Sequence, residues 1–318
     1  MTAVLIAPRP GCRKLTEEGR REHNSQSIGI GHCRMQASSL GERRRSTKRG
    51  SDSVETRRIR LGGWLSIADP LVAEAAGRAG YDWVGLDLQH GAWDVGSAAR
   101  GVQLLDILGV PVLVRVADEE LSLIPHVLDQ GASGIVVAMA SSPETMAIAV
   151  QRARYHPEGV RSYGGQRYSM RLEPADVSNI RPSVYAMIET RAGLDSIAEI
   201  ADVPGIAGIH VGPVDLGLSL GLGMDRAHVN FDEALRRIVE ASHAAGIPAT
   251  MHAVSSAEVS RMIDMGFDEL VLTADIGVLR RAFAADLCSA RAQIEERKHR
   301  PRGKTAAGQS KSKESEAG

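Results

Sequence analysis

The sequence predicts an α/β protein: a (β/α)8 TIM barrel with disordered N- and C-terminal tails. Eight short apolar runs alternate with Ala- and Leu-rich amphipathic stretches between residues 59 and 296, and such alternation over about 235 residues suits a closed parallel barrel. The G-x-G-x-x-G fingerprint that a doubly wound open sheet would usually carry is absent. With 318 residues, 43% of them hydrophobic, the chain can bury a large core.

The predicted strands are the short apolar runs, and the helices lie between them. Helical patterns cover, for example, residues 69–80 and 231–246. Glycines follow five of the helical runs, where a left-handed C-terminal residue is expected. The strands are Leu61–Ile67, Trp83–Leu88, Pro111–Val116, Gly134–Met139, Val184–Glu189, Gly208–Gly212, Pro248–His252 and Glu269–Thr273, and the glycines are Gly80, Gly109, Gly131, Gly246 and Gly266.

Both ends of the chain differ in composition from the predicted barrel. Residues 1–58 carry bursts of Arg and Lys without aromatics or a helical or strand period, which favours a disordered leader over a nucleic-acid-binding segment. An organelle transit peptide and an upstream mis-assigned start codon both remain open for this leader. Residues 297–318 are polar, and they are predicted to form a disordered tail.

Cysteine usage and hydropathy limit the class of protein. Cys12, Cys33 and Cys288 are odd in number and widely spaced, which suits neither a disulfide framework nor a zinc site. This usage predicts a cytoplasmic protein. No apolar run approaches the roughly 20 residues that cross a bilayer, so no membrane association is expected.

Polar residues gather at the C-terminal ends of the predicted strands, where a TIM barrel carries its chemistry. Any one of them could be a solvated loop residue or a helix cap. Their recurrence at four or more of the eight strand ends favours an active site. The residues are Asp87, Gln89 and His90 after strand two, Arg115 in strand three, Glu189 in strand five, Asp215 after strand six and His252 in strand seven.

Glu189 and Asp215 predict a site for a divalent cation. Neighbouring barrel strands lie about 4.8 Å apart, so acids at the ends of strands five and six can share one ion. Two carboxylates completed by water suit Mg²⁺ or Mn²⁺ better than zinc. The alternative is that Asp215 caps a helical turn and Glu189 pairs with Arg191.

Arg115 and His90 are the candidates for charge stabilisation and proton transfer. A guanidinium in a barrel mouth needs an anion, which is either a substrate oxygen or, alternatively, Asp87 or Glu189. His90 and His252 are the histidines at strand ends, and His90 is the natural proton carrier because imidazole titrates near neutral pH. His210 lies within a strand and is expected to be packed in the core.

The predicted barrel contains no lysine. All six lysines lie in the tails, so a Schiff-base mechanism on a keto acid is excluded. Stabilisation of a carbanion must come from the metal and Arg115 instead.

Five blocks of the sequence resemble the HpcH/HpaI aldolase family over about Leu61 to Ala292. These are metal-dependent (class II) pyruvate aldolases of the phosphoenolpyruvate/pyruvate barrel superfamily. The blocks are "GYDWVGLDLQHGAWD", "PVLVRV", "RYHPEGVRSYGG", "MIETRAGLDSI" and "GIHVGPVDLGLSLG".

The resemblance implies roles for the residues at the strand ends. Glu189 and Asp215 match the metal ligands, for Mg²⁺ or Mn²⁺ with Co²⁺ as an alternative. His90 matches the catalytic base that acts with a metal-bound water, Asp87 matches the acid near that water, and Arg115 matches the arginine facing the pyruvate carbonyl. Further residues matched or predicted to contact the substrate are Trp64, Gln89 and the backbone of Gly212, Pro213 and Val214.

The resemblance also implies a homo-oligomer. The family forms hexamers whose dimers exchange the last helix, here about Ile276 to Ile294. Asp129 matches an acid that orients the histidine of a neighbouring subunit, although the residues alone predict only a helix-surface position for it.

The function implied is cleavage or formation of 4-hydroxy-2-keto acids, giving pyruvate and an aldehyde through an enolate held at the metal. A lyase for malyl- or citramalyl-CoA would use the same site but needs a basic groove, which the lysine-free barrel disfavours. Further alternatives are an oxaloacetate decarboxylase that uses the same site and a non-catalytic binding protein on a barrel scaffold.

Departures from the family bear on substrate choice. Gln89, Ala138 and Met187 stand where members often have Glu, Pro and Gln. Arg167 and Arg171 are additional arginines that could meet an acidic aldehyde or solvent.

Overall fold

The structure, a computed structural model, describes residues 58–170 and 179–299. Eight parallel strands form a closed barrel in which each strand pairs with its sequence neighbours and the eighth pairs with the first. The predicted (β/α)8 barrel is confirmed. The strands are β1 Arg60–Leu65, β2 Trp83–Asp87, β3 Val112–Val116, β4 Gly134–Val137, β5 Ser183–Ile188, β6 Ile206–Val211, β7 Ala249–His252 and β8 Glu269–Val271.

Eleven helices are described around the barrel. A 3₁₀ turn at Asp118–Glu120 follows β3. The helices are α1 Pro70–Arg78, α2 Val95–Ile107, α3 Leu123–Asp129, α4 Pro143–Ala153, α5 Gln166–Ser169, α6 Arg191–Asp195, α7 Ile197–Ala201, α8 Pro213–Ser219, α9 Val229–Ala244, α10 Ser256–Met265 and α11 Asp275–His299.

The helix ends follow the sequence signals. Asp69 caps α1 by accepting from the backbone N–H groups of Leu71 and Val72, and Asp94 and Ser97 form a capping box at α2. The five glycines predicted to end helices all have positive φ angles, from 71° at Gly246 to 106° at Gly131.

The last helix is longer than predicted. α11 continues past Ile294 to His299, with an ion pair between Lys298 and Glu295 at 2.6 Å. The first three residues of the predicted polar tail are therefore helical. The rest of that tail, the leader up to residue 57, and Cys12, Cys33 and Arg171 lie outside the described residues.

Alternation along the strands separates two cores. Outward-facing residues such as Val84, Leu86 and Ile209 pack against the helices. Inward-facing residues fill the barrel interior, where each strand contributes to layers of side chains. The interior residues include Trp64, Trp83, Leu113, Val136, Tyr185, Met187 and Val271. Among the described helices, none has the length and apolar character that a membrane crossing requires.

The N-terminal end of the barrel is closed by a buried acid. Glu269 is 1% exposed, pairs with Arg60, and accepts hydrogen bonds from Thr250 Oγ1 at 3.2 Å and Tyr185 Oη at 3.4 Å. Burial raises the pKa of the Glu269 carboxyl group above its ordinary value of 4.5, although Arg60 opposes that rise. The ionised form is therefore costly in the folded protein.

This acid predicts a pH-dependent stability difference. Because the folded pKa is raised, the stability that Glu269 contributes is fully present below about pH 4.5 and is lost as the pH rises through the folded value. We expect Glu269→Gln to gain stability relative to the native protein between pH 5 and pH 8, as measured by urea unfolding. The exposed Glu240→Gln on α9 is the control, and an equal pH trend in both variants would contradict the assignment.

Candidate active site

The parallel register brings the predicted rim residues together at the C-terminal end of the barrel. Asp87 of β2 lies beside Arg115 of β3. Ile188 of β5 lies beside Val211 of β6, so Glu189 and Gly212, the next residues in each strand direction, are also neighbours. The barrel topology thus assembles groups that are up to about 130 positions apart in the chain.

Asp87 and Arg115 form a two-point ion pair. Arg115 Nε donates to Asp87 Oδ1 at 2.8 Å, and Arg115 Nη2 donates to Asp87 Oδ2 at 2.6 Å. Both residues are buried, Arg115 at 9% exposure and Asp87 at 3%. Burial by itself would raise the pKa of Asp87, but the hydrogen bonds and charge of Arg115 outweigh it and the pKa lies below its ordinary value. The internal ion pair with Asp87, one of the two predicted partners of Arg115, is present.

Asp87 also shapes the turn that carries His90. Its Oδ1 accepts from the backbone N–H groups of Gln89 and His90, both at 3.1 Å. The His90 side chain is exposed at this rim, so its imidazole is accessible to a substrate that enters the barrel mouth from solvent. Asp87 therefore fixes both the guanidinium and the histidine-bearing turn.

Trp64 and Gln89 flank the same carboxylate. Trp64 Nε1 lies 3.4 Å from Asp87 Oδ2, and the Arg115 guanidinium lies 5.4 Å from the Trp64 ring centre, within cation–π range. The Gln89 Oε1 atom is buried without a hydrogen-bond partner among the described residues.

Glu189 is the most buried acid at the rim, at 2% exposure. Its Oε1 accepts a 2.6 Å hydrogen bond from the backbone N–H of Met139. It makes no described contact with Arg191, whose guanidinium donates instead to the Leu220 carbonyl. Burial raises the pKa of Glu189, opposed by Met139 and Arg115, and the nearby charge of Asp215 raises it further.

Met139 aims its N–H at Glu189 by adopting an uncommon backbone conformation. Its φ angle is 52°, the left-handed region that non-glycine residues rarely occupy. This hydrogen bond holds one carboxylate oxygen of Glu189 and leaves the other facing Gly212. A Cβ atom added at Gly212 would lie 2.1 Å from Glu189 Oε2. Any residue other than glycine at this position would therefore clash with the Glu189 carboxylate.

The two rim acids fit a hard divalent cation. Asp215 lies exposed in the first turn of α8, close enough to Glu189 for their charges to interact. A buried carboxylate beside a second one is unfavourable unless a cation joins them. Within residues 58–170 and 179–299 no group of three or more His, Cys, Asp or Glu could hold a metal, so two acids with water is the donor set available.

The segment at the start of α8 offers fewer backbone donors than the resemblance implies. The Gly212 N–H already donates to the Ile188 carbonyl at 3.1 Å, and Pro213 has no N–H. Only the N–H groups of Val214 and Asp215, in the first turn of the helix, lack an intrahelical acceptor. Of the three residues predicted to contact the substrate carboxylate, Gly212 already uses its backbone N–H and Pro213 has none, so Val214 is the one whose N–H can still donate.

Met187 leaves one nitrogen of Arg115 weakly engaged. Arg115 Nη1 lies 3.6 Å from the Met187 Sδ atom, and a thioether is a weak acceptor. This nitrogen is consequently the part of Arg115 best able to bind a further oxygen.

Asp129 contacts a group that the sequence reasoning did not single out. It lies at the end of α3, and its Oδ1 accepts a 2.6 Å hydrogen bond from Arg161 Nη2. The Arg161 side chain is fully buried against Tyr155, with 4.6 Å between guanidinium and ring centre. None of the described contacts of Asp129 is with His90.

Two features, the backbone of Met139 at the rim and the burial of Arg161 beside Asp129, could not be found from sequence. The left-handed Met139 has no signal because the conformation is normally carried by glycine. Arg161 occurs in a loop pattern that suggests exposure, and only its packing on Tyr155 explains its burial.

Comparison with known proteins gives one consistent family. Residues 60–282 match the model of the family described as HpcH/HpaI aldolase/citrate lyase. A hydroxypyruvate/pyruvate aldolase of Paraburkholderia phytofirmans is 34% identical over 70% of this chain and 89% of that protein. A 5-keto-4-deoxy-D-glucarate aldolase of Klebsiella pneumoniae is 30% identical over 72% of this chain and 91% of that protein.

A solved structure agrees with these relatives. The crystal structure of an HpcH/HpaI aldolase/citrate lyase family protein from Burkholderia cenocepacia has a TM-score of 0.69 at 29% identity, covering 74% of this chain and 96% of that one. The barrel and the sequence thus point to the same group of proteins.

Proposed function

We propose, because this chain belongs to the HpcH/HpaI aldolase/citrate lyase family, that its barrel cleaves or forms 4-hydroxy-2-keto acids with pyruvate and an aldehyde as cleavage products. The chain is an aldolase, a carbon–carbon lyase, by its family and relatives. The observation that supports the reaction most directly is the convergence of an ion-paired arginine, an exposed histidine and two neighbouring acids at one rim.

Glu189 and Asp215 would hold a divalent cation, Mg²⁺ or Mn²⁺ with Co²⁺ as an alternative. When bound, such an ion supplies Lewis acidity toward the keto acid. Two observations support a cation at these acids. Carboxylate oxygens are the ligands that such ions prefer, and the glycine at position 212 leaves space beside Glu189 Oε2.

Arg115 would balance the negative charge that develops on the C2 oxygen of the keto acid. Asp87 keeps the guanidinium oriented through two hydrogen bonds, so little reorganisation is needed when the charge forms. The Nη1 nitrogen, which faces only the Met187 sulfur, is the donor available to that oxygen.

His90 would act as the general base. It removes the proton of the C4 hydroxyl group, directly or through one water molecule. The C3–C4 bond then breaks, its electron pair moves toward the C2 oxygen, and the aldehyde leaves. Uptake of a proton at C3 completes pyruvate, and the reverse sequence is aldol addition.

A pyruvate-release assay coupled to lactate dehydrogenase tests this proposal on a panel of 4-hydroxy-2-keto acids. We expect activity that EDTA abolishes and that Mg²⁺ or Mn²⁺ restores. Borohydride with substrate should not inactivate the enzyme, since residues 59–296 contain no lysine. Full activity in EDTA, or covalent trapping by borohydride, would contradict the metal-dependent route.

The chain would work as a homo-oligomer, a hexamer with the last helix exchanged between subunits. Apolar side chains on α11 are exposed in the single chain, among them Ile276, Phe283, Leu287 and Ile294, and a partner subunit would cover them. Such an assembly would also bring Asp129 of one subunit toward another subunit's site. The three cysteines, odd in number and widely spaced along the sequence, support a cytoplasmic location.

A further inference from the structure

A buried polar cluster lies in the barrel interior beneath the rim. His210 of β6 is 0% exposed, and neither of its ring nitrogens has a hydrogen-bond partner within the described part of the chain. Trp83 Nε1, on the same interior surface, is also buried and unpartnered there. Buried polar atoms nearly always have a partner, so these nitrogens are available to a polar group that binds beside them.

His210 and His252 form a contacting imidazole pair. Their ring centres are 5.0 Å apart in an edge-to-face arrangement, and Trp64 lies 5.5 Å from His210 and 5.2 Å from His252. Because Trp64 also contacts Asp87 and Arg115, the pair adjoins the candidate active site. The interior of a barrel is ordinarily filled by branched apolar side chains. Such side chains carry no polar atoms, so the two imidazoles are unusual at this position.

Both rings are neutral at physiological pH. Burial, followed by the charges of His252 and Arg115, lowers the pKa of His210 well below its usual value. Burial, Arg115 and Arg226 lower the pKa of His252 to about 3. Each ring therefore presents one N–H donor and one lone pair.

His252 is the member of the pair that opens toward the barrel mouth. It ends β7, at the same C-terminal rim as Asp87 and Arg115. Its backbone carbonyl accepts a 2.7 Å hydrogen bond from Arg226 Nη2, and Arg226 in turn pairs with Glu258 at 3.1 Å. This attachment holds the backbone of His252 in place at the end of β7.

We propose that the imidazole pair of His210 and His252 binds a hydroxyl group carried by one of the two reactants of the aldol addition. The inference rests on the proposed function and names the substrate class that this site prefers. A hydroxyl group is both donor and acceptor, as a neutral imidazole is. A carboxylate accepts only, and a methyl group would leave the nitrogens unpaired.

The hydroxyl group can come from either reactant, and matched substrates separate the two sources. Hydroxypyruvate differs from pyruvate by one hydroxyl on the keto acid, and glycolaldehyde differs from acetaldehyde by one hydroxyl on the aldehyde. We expect the enzyme to prefer one hydroxylated reactant over its deoxy counterpart by about 10- to 100-fold in kcat/KM, as a well-placed hydrogen bond allows.

The test compares kcat/KM for addition with all four reactant combinations, in the native enzyme with Mn²⁺ and in variants. His252→Leu should lower kcat/KM for the preferred hydroxylated reactant by about tenfold more than for its deoxy counterpart, so that most of the preference is lost. His252→Gln, which keeps a donor and an acceptor, should retain part of the preference. His210→Phe is a second variant that fills the same space, and thermal melting of each variant reports whether it folds.

The outcomes separate this inference from the proposed function. No addition with any combination in the native enzyme would overturn the proposed function itself. Activity without a preference for either hydroxylated reactant would overturn only the role of the imidazole pair. Equal losses on hydroxylated and deoxy reactants in folded His252→Leu and His210→Phe would likewise overturn it.

Discussion

Glu189→Gln is expected to lower kcat/KM for keto-acid cleavage by about 1,000-fold or more, because loss of the proposed metal ligand would remove several kcal/mol of transition-state stabilisation. Glutamine keeps an oxygen that can accept from the Met139 N–H, now 2.6 Å from Glu189 Oε1. It loses the negative charge that a divalent ion requires at this position. The fold should therefore survive while the ion site is lost.

Metal-dependent melting distinguishes this cause from general damage. A ligand that binds only the folded state raises the melting temperature, so Mn²⁺ should raise it in the native protein and leave the variant unchanged. In the absence of metal the variant should be at least as stable as the native chain, because burial and the charge of Asp215 already disfavour the ionised Glu189. Exposed Glu199→Gln on α7 is the matched control, and native-like activity with an intact Mn²⁺ response in Glu189→Gln would rule out the metal assignment.

The barrel could be predicted because its signals are local and repeated. Each strand is a short apolar run, and five of the predicted helix ends carry a glycine, so five positive φ angles follow from sequence alone. Strand ends agree with the predicted bounds to within two residues for most strands. The remaining differences arise because the apolar character of a strand decreases over several residues and does not mark one end residue.

The rim could be predicted only as a set of residues, because contacts between them depend on register. Barrel topology alone places Asp87, Arg115, Glu189 and Asp215 at one end. Topology does not show whether the Arg115 guanidinium pairs with Asp87 or with a substrate anion, because either anion could neutralise it and the sequence does not distinguish them. The register of β2 against β3 sets Asp87 and Arg115 side by side, which accounts for the ion pair between them.

The interior histidine shows a different limit. Its position within β6 correctly predicted burial of His210. The two unpartnered nitrogens depend on what β1, β2 and β7 place around the ring, and the neighbours there, Trp64, Trp83 and His252, are 42 or more residues away along the chain. A strand pattern reports which face a side chain occupies, and it carries no information about hydrogen-bond partners across a barrel.

Arg115→Lys is expected to reduce kcat by about 100-fold or more with a smaller change in KM. A lysine ammonium is a point charge that cannot hold Asp87 through two parallel hydrogen bonds and also present a third nitrogen beside Met187. The donor to the developing oxyanion is then lost or misplaced, and donors of that kind contribute about 100- to 1,000-fold to kcat. Exposed Arg236→Lys on α9, which keeps its charge beside Glu233, is the control.

Stability measurements on Arg115→Met separate orientation of Asp87 from catalysis. In the native protein the pKa of Asp87 is lowered, so the stability it contributes is present above pH 3.8 and is lost as the pH falls through the folded value. Without Arg115 the carboxyl group is buried and unpaired, its pKa rises, and stability should instead fall as the pH increases, by about 3 kcal/mol at neutral pH. Adding Asp87→Asn should restore most of that stability without restoring activity, because the buried charge is removed but the guanidinium is still missing. Recovery of both in the double variant would mean that Arg115 serves only to neutralise Asp87.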